Sequence, residues 1–123
     1  MSPWLLVAAL AGGVGAGLRY VVDRWLTPAN GARFPFGILV VNVSGSFVLG
    51  VITGLGTAIA PELSLVLGLG LLGGYTTFST VSVETVLLAQ RKRWRHAALN
   101  LFGTLALAAI AAGLGLLLGG AVS

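Results

Sequence analysis

The run GGYTTFSTVSVET, residues 73 to 85, places five hydroxyls (Thr76, Thr77, Ser79, Thr80 and Ser82) within seven residues, directly after paired glycines. Hydroxyls donate and accept, so such a run either folds back onto its own helix backbone or meets a ligand. Gly73 and Gly74 are poor helix residues. A break there frees backbone carbonyls that can hold a small hard cation. Where the helix resumes, its first N–H groups and the hydroxyls are available to an anion. Thr76 and Thr80 share a face by i, i+4 spacing, as do Phe78 and Ser82. The chemistry on offer is ion coordination.

Other polar residues stand in apolar surroundings. Asn42 and Ser46 lie one helical turn apart, and Asn100 and Thr104 repeat that spacing near the far end of the chain. An asparagine amide is a double donor, so Asn42 reads as interhelical glue or as an anion ligand. Glu84 follows the hydroxyls by one to two turns and reads as facing a wet vestibule. Arg19 and Asp23, four residues apart, suit an intrahelical ion pair or a snorkelling arginine. No paired acid and base or nucleophile constellation is present, which argues against an enzyme. Without cysteine there is no thiolate metal site or disulfide.

The elements that position these groups follow from composition. Of the 123 residues, 57% are hydrophobic and 8% charged, too little polar surface to cover a water-soluble globule. The chain belongs in a lipid bilayer, as one domain. Four segments reach the roughly 20 apolar residues a crossing needs, about 3–26, 36–60, 63–88 and 94–120. TPANGARFP (27 to 35) interrupts between the first two, and Pro61 suits the first turn of the third. The N-terminal segment lacks a basic leader and continues to Trp25, so it reads as a retained helix. Small-xxx-small pairs at Gly13/Gly17, Gly50/Gly54, Gly70/Gly74 and Gly115/Gly119 point to close helix packing. The expected fold is an all-α integral membrane protein of four transmembrane helices with the third broken.

Net charge is +4, but the basic residues cluster in QRKRWRH (90 to 96) beside apolar runs, which favours a membrane flank over nucleic acid. His96 is part of that flank. Arg24, Arg33, Arg91, Lys92, Arg93 and Arg95 fall on the side of the first and third loops, and the termini carry no Lys or Arg. The positive-inside rule therefore predicts both termini outside and a single direction of insertion.

GGYTTFST with Glu84, NVSGSFVLG (42 to 50) and GGVGAGLRY (12 to 20) together resemble the Fluc (CrcB) family of bacterial fluoride channels, in motif order and over essentially the whole chain. The resemblance implies a dimer of antiparallel subunits in the bacterial inner membrane, exporting fluoride passively. It implies a structural Na⁺ at the dimer interface, held by the backbone carbonyls of Gly73 and Thr76. It also implies narrow pores, to which we assign Asn42, Ser46, Phe78, Ser79, Thr80, Val81, Ser82, Glu84, Asn100 and Thr104, with Arg19 and Asp23 structural. Fluoride is small and strongly hydrated, and leaving water costs tens of kcal/mol on Born estimates unless several donors replace the shell. A file of weak donors with phenyl ring edges meets that need and still releases the ion.

Two features depart from the family pattern. Val81 stands where the family usually has a second phenylalanine, and the flanking charge is one-sided although a homodimer of antiparallel chains calls for balance. The expectation is one half of a heterodimer, a homodimer being the alternative, with one of two pores conducting. Two rivals differ in class. A small proton-coupled multidrug exporter needs a membrane-embedded carboxylate in its first helix, where this chain has Asp23 at the end and Arg19 deep. A non-conducting structural subunit would leave fluoride resistance intact after Asn42→Ala or Phe78→Ile.

Overall fold

The computed structural model describes residues 3–27 and 34–123. The expected loop signals between Pro28 and Arg33, and the charge of Arg33, lie outside the described residues. Four helices are long and apolar enough to cross a membrane: Pro3–Leu26, Phe36–Ala58, Pro61–Gln90 and Trp94–Val122. The shortest has 23 residues, about 34 Å at 1.5 Å per residue, against a hydrocarbon layer of about 30 Å.

Local chemistry sets the ends. The second span begins after Pro35, and the hydroxyl of Thr27, at the end of the first span, accepts from the Gly37 N–H at 2.6 Å. That satisfies a first-turn donor which no residue of the second helix can reach. Gly56, at φ 58°, ends the helix Phe36–Leu55, a conformation that costs glycine least. Pro61 opens the third span, where its missing N–H leaves nothing unpaired.

The turn after the third span is less ordinary. The Arg93 N–H bonds to the Leu88 carbonyl and the Lys92 N–H to the Ala89 carbonyl, each at 2.9 Å, the pattern of a helix closed by a left-handed residue. That residue is Lys92, at φ 59°, where glycine is usual. A side chain in this region costs about 1–2 kcal/mol.

The spans pair through glycine. A Cβ on Gly15 would overlap the Leu71 carbonyl, one on Gly74 the Gly12 carbonyl, and one on Gly70 would lie 2.6 Å from the Ala8 oxygen. The first span thus lies backbone to backbone on the first half of the third. Gly50, Gly54, Gly115 and Gly119 lock the second span to the fourth in the same way, each facing a backbone carbonyl of the other helix. Three of the four small-residue pairs are used inside the bundle. Gly13 and Gly17 are not, having nothing within 4 Å; Gly12 and Gly15, on the adjacent face, make the first span's contacts.

The third span changes character along its length. After a turn of α-helix, Leu65–Leu72 is π-helical, Gly73–Tyr75 is α-helical, and a second α-helix runs over Phe78–Gln90. Between them Thr76 (φ −79°, ψ 154°) and Thr77 (φ −154°, ψ 120°) are extended. The sequence reading sets the departure at Gly73–Gly74, but these two are helical. Gly74 is needed small to meet Gly12, so these glycines serve close approach, and the chain leaves the helix just past that contact. The half beyond, Phe78–Gln90, packs chiefly on the start of the fourth span, which is π-helical over Leu99–Gly103.

Adding a methyl at a carbonyl contact forces two helices apart, at about 1–3 kcal/mol. Gly74→Ala is therefore expected to lower the thermal midpoint in detergent, while Gly13→Ala and Gly17→Ala leave it unchanged. Equal effects at the three positions would contradict the packing described.

Candidate functional site

The extended pair is held from the second span. Asn42, buried in that helix, donates from Nδ2 to the Thr77 carbonyl at 3.0 Å and accepts the Thr77 N–H on Oδ1 at 2.8 Å. One side chain thereby pairs both polar groups of an extended residue, as a neighbouring strand would. Gly45, one turn on, leaves room for the Thr76 methyl and the Tyr75 ring, and the Tyr75 hydroxyl meets Ser44 Oγ at 3.2 Å.

Each bond diverts a donor from the helix. In a continuous helix the Thr77 N–H would serve the Gly73 carbonyl; it goes to Asn42 instead. The Thr80 N–H would serve the Thr76 carbonyl, but Thr77 Oγ1 takes it at 3.2 Å as the N-cap of the second half. The Thr77 hydroxyl proton goes to Thr80 Oγ1 at 3.3 Å. The carbonyls of Gly73 and Thr76 are thus stripped of their helical partners, and bare carbonyl oxygens are ligands suited to a hard cation.

A cavity of about 240 Å³ opens beside this interruption, lined by Asn42, Ser46, Thr76, Thr77, Phe78, Val81, Leu101, Thr104, Leu105 and Ala108. No ionised side chain lines it. Its donors without protein partners are the hydroxyls of Ser46 and Thr104, the latter buried at 5% exposure. Val81 is 2% exposed and forms part of the wall, whereas Phe78 is 69% exposed at the rim, so one aromatic ring borders the opening.

Of the residues expected along an ion path, the structure brings together Asn42, Ser46, Phe78, Val81 and Thr104. Ser79, Thr80, Ser82, Glu84 and Asn100 lie outside the lining. Ser79 is exposed. The hydroxyls of Thr76, Ser82 and Thr85 turn back onto the carbonyls of Leu72, Phe78 and Val81. Asn100 is fully buried behind Val81; its Nδ2 donates to the Val81 carbonyl at 3.2 Å and to Thr85 Oγ1 at 2.9 Å. Its Oδ1 has no partner among the described residues. The donor side of this amide is spent on the third span, and the free side is an acceptor.

Arg19 and Asp23 make no ion pair. The Asp23 carboxylate lies against Gly37, where a Cβ would come within 2.5 Å of Oδ1, and the cation acting on it is Arg24. Glu84, half-buried, stands within electrostatic reach of Asp23 and Arg91 near the loop-bearing end of the bundle. Two residues central to the geometry carry no obvious ligand signature. Thr77 is legible only as an N-cap residue, and nothing in the sequence links it to Asn42, 35 residues away.

Four membrane-crossing helices and a polar cleft at an interruption of the third define a multi-pass membrane protein. Residues 6–116 match the CrcB-like proteins (camphor resistance, CrcB), and the chain belongs to that family. It is 50% identical over 123 residues to the fluoride-specific ion channel FluC 1 of Leifsonia xyli subsp. xyli, covering 98% of this chain and 90% of the relative. The fluoride-specific ion channels FluC of Shewanella sp. (strain ANA-3) and Shewanella oneidensis are each 50% identical over 105 residues, 84% of this chain and 85% of theirs. The resemblance carried by the three motifs is borne out.

Removing the Asn42 amide leaves the Thr77 N–H and carbonyl both unpaired, at about 1–3 kcal/mol for each buried group. Asn42→Leu is expected to lower stability in a denaturation series by about 2–4 kcal/mol. Asn100→Leu removes an amide whose oxygen is already unpaired and leaves Val81 its bond from Thr85, so a loss under about 1 kcal/mol is expected. The reverse order would refute the roles assigned to the two asparagines.

Proposed function

We propose that this chain is a subunit of a fluoride-specific channel that lets the anion leave the cell passively. The observation that carries the reading is the cavity at Thr76–Thr77: its unpartnered polar side chains, Ser46 and Thr104, are hydroxyl donors, and no carboxylate or cation stands in its wall. Such a wall replaces an anion's hydration without trapping it, since no single site is strong. The names of the relatives at 50% identity point to the same ion. The N-terminus of the helix Phe78–Gln90 adds N–H groups and a favourable dipole beside the cavity. Phe78 presents its ring at the mouth, where a positive aromatic edge suits fluoride.

The cavity is completed by a second subunit. Its polar groups open toward the face that meets lipid, where unsolvated donors cost several kcal/mol each. A homologous chain inserted in the opposite direction closes that side. Among the described residues Arg24, Arg91, Lys92, Arg93 and Arg95 share one end of the bundle, which favours both termini outside and a heterodimer over a homodimer. With Val81 in place of a second ring, one pore of the pair conducts.

The carbonyls of Gly73 and Thr76, stripped of their helical donors, fit a structural Na⁺ at the subunit interface. Bound there, the ion supplies fixed positive charge near the dimer axis. Asn42 and Thr77 keep those oxygens available by holding the diverted N–H groups. Asn42 therefore acts as much by positioning backbone as by meeting the anion.

Liposomes loaded with fluoride test the proposal, with the chain reconstituted alone and with a homologue of opposite charge bias. Fluoride efflux without chloride efflux is expected from the pair, and Thr104→Val or Ser46→Ala is expected to slow it at least about tenfold, the worth of one lost donor. No efflux in either preparation would refute the channel. Full-rate efflux from the lone chain would refute the heterodimer and leave the channel standing.

A further inference from the structure

We infer that the turn between the third and fourth spans is a binding site for the headgroups of anionic phospholipids. Arg91, Lys92, Arg93 and Arg95 are all exposed and, among the described residues, none forms an ion pair. Arg91 alone lies in the field of a carboxylate, that of Glu84. Trp94, in the middle of the cluster, is 66% exposed, and Trp25, at the end of the first span, 79%. Indole rings of this kind settle at headgroup depth. The third span is 30 residues long, about 45 Å, so its last turn clears the hydrocarbon and delivers the turn to the phosphate layer.

The backbone gives an independent sign. Lys92 occupies the left-handed position that closes the helix, where glycine would be free of strain. A lysine kept there has a use for its charge that a helix ending does not supply. The left-handed residue also turns the chain sharply, so that Arg91, Lys92 and Arg93 fan out from one point. Arginine forks and a lysine ammonium suit the phosphodiester oxygens of a phospholipid.

The experiment uses the whole chain in mixed bilayers and measures its association with spin-labelled phosphatidylglycerol and phosphatidylcholine. Phosphatidylglycerol is expected to be preferred at least about threefold at 0.1 M salt, with the preference fading toward parity at 1 M. The combined Arg91→Gln, Lys92→Gln, Arg93→Gln and Arg95→Gln variant is expected to lose it. Because that variant can insert the wrong way round, Lys92→Gly carries the test by itself. It is expected to raise the melting temperature by releasing strain and to weaken the lipid preference. Equal association of the two lipids with the unaltered chain would overturn the proposal, as would displacement of phosphatidylglycerol by millimolar inorganic phosphate, which marks a site for free anions. A Lys92→Gly chain that melts higher and keeps the full preference would overturn the use assigned to that lysine. None of these outcomes depends on whether the protein conducts fluoride.

Discussion

The two hydrogen bonds between the Asn42 amide and the backbone of Thr77 are the constraint around which the third span is arranged. In lipid an extended residue has no water to satisfy it, so a helix leaves its ladder only where something else accepts its N–H and donates to its carbonyl. Asn42 does both with one side chain. The Thr77 hydroxyl then starts the next helix by taking the Thr80 N–H. The cavity, the bare carbonyls and the exposed Phe78 ring all lie within a few residues of this arrangement.

The two asparagines look alike in the sequence and differ in what they hold. Each has a hydroxyl residue four positions on, and each is buried. Asn42 has both polar ends engaged and stabilises an irregular backbone. Asn100 gives its donors to a regular stretch and leaves its oxygen unpaired behind Val81. Between them they tie the second half of the third span at its first residues and one turn later. That half has little apolar contact with the first two spans and rests chiefly on the start of the fourth, so these polar ties matter more there than elsewhere.

Long apolar periodicity made the four spans legible, because burying a helix in lipid demands about 20 apolar residues whatever the fold. The glycine pairs were legible as close packing, but not which of them face a neighbour: Gly13 and Gly17 have the same spacing as Gly70 and Gly74 and touch nothing. Spacing fixes a shared face and leaves its direction open. The interruption was legible in kind, from glycines followed by hydroxyls, and misplaced by a few residues because glycine serves close approach as readily as it serves a bend. Which hydroxyls reach the cavity was not legible. Ser82 and Thr85 satisfy themselves on their own helix, a choice made by rotamer, whereas Ser46 and Thr104 are turned to the cavity by helices whose phase tertiary packing sets.

The π-helical stretch Leu99–Gly103 carries a history of its own. A wide turn of this sort arises when one extra residue enters an α-helix without breaking it, and every later residue is then rotated by about 100°. Thr104 is the first residue after the stretch. A single codon gained or lost ahead of it would swing its hydroxyl between the lumen and the lipid. The chemistry of the wall could therefore change in one genetic event, with the hydrophobic length of the span nearly untouched.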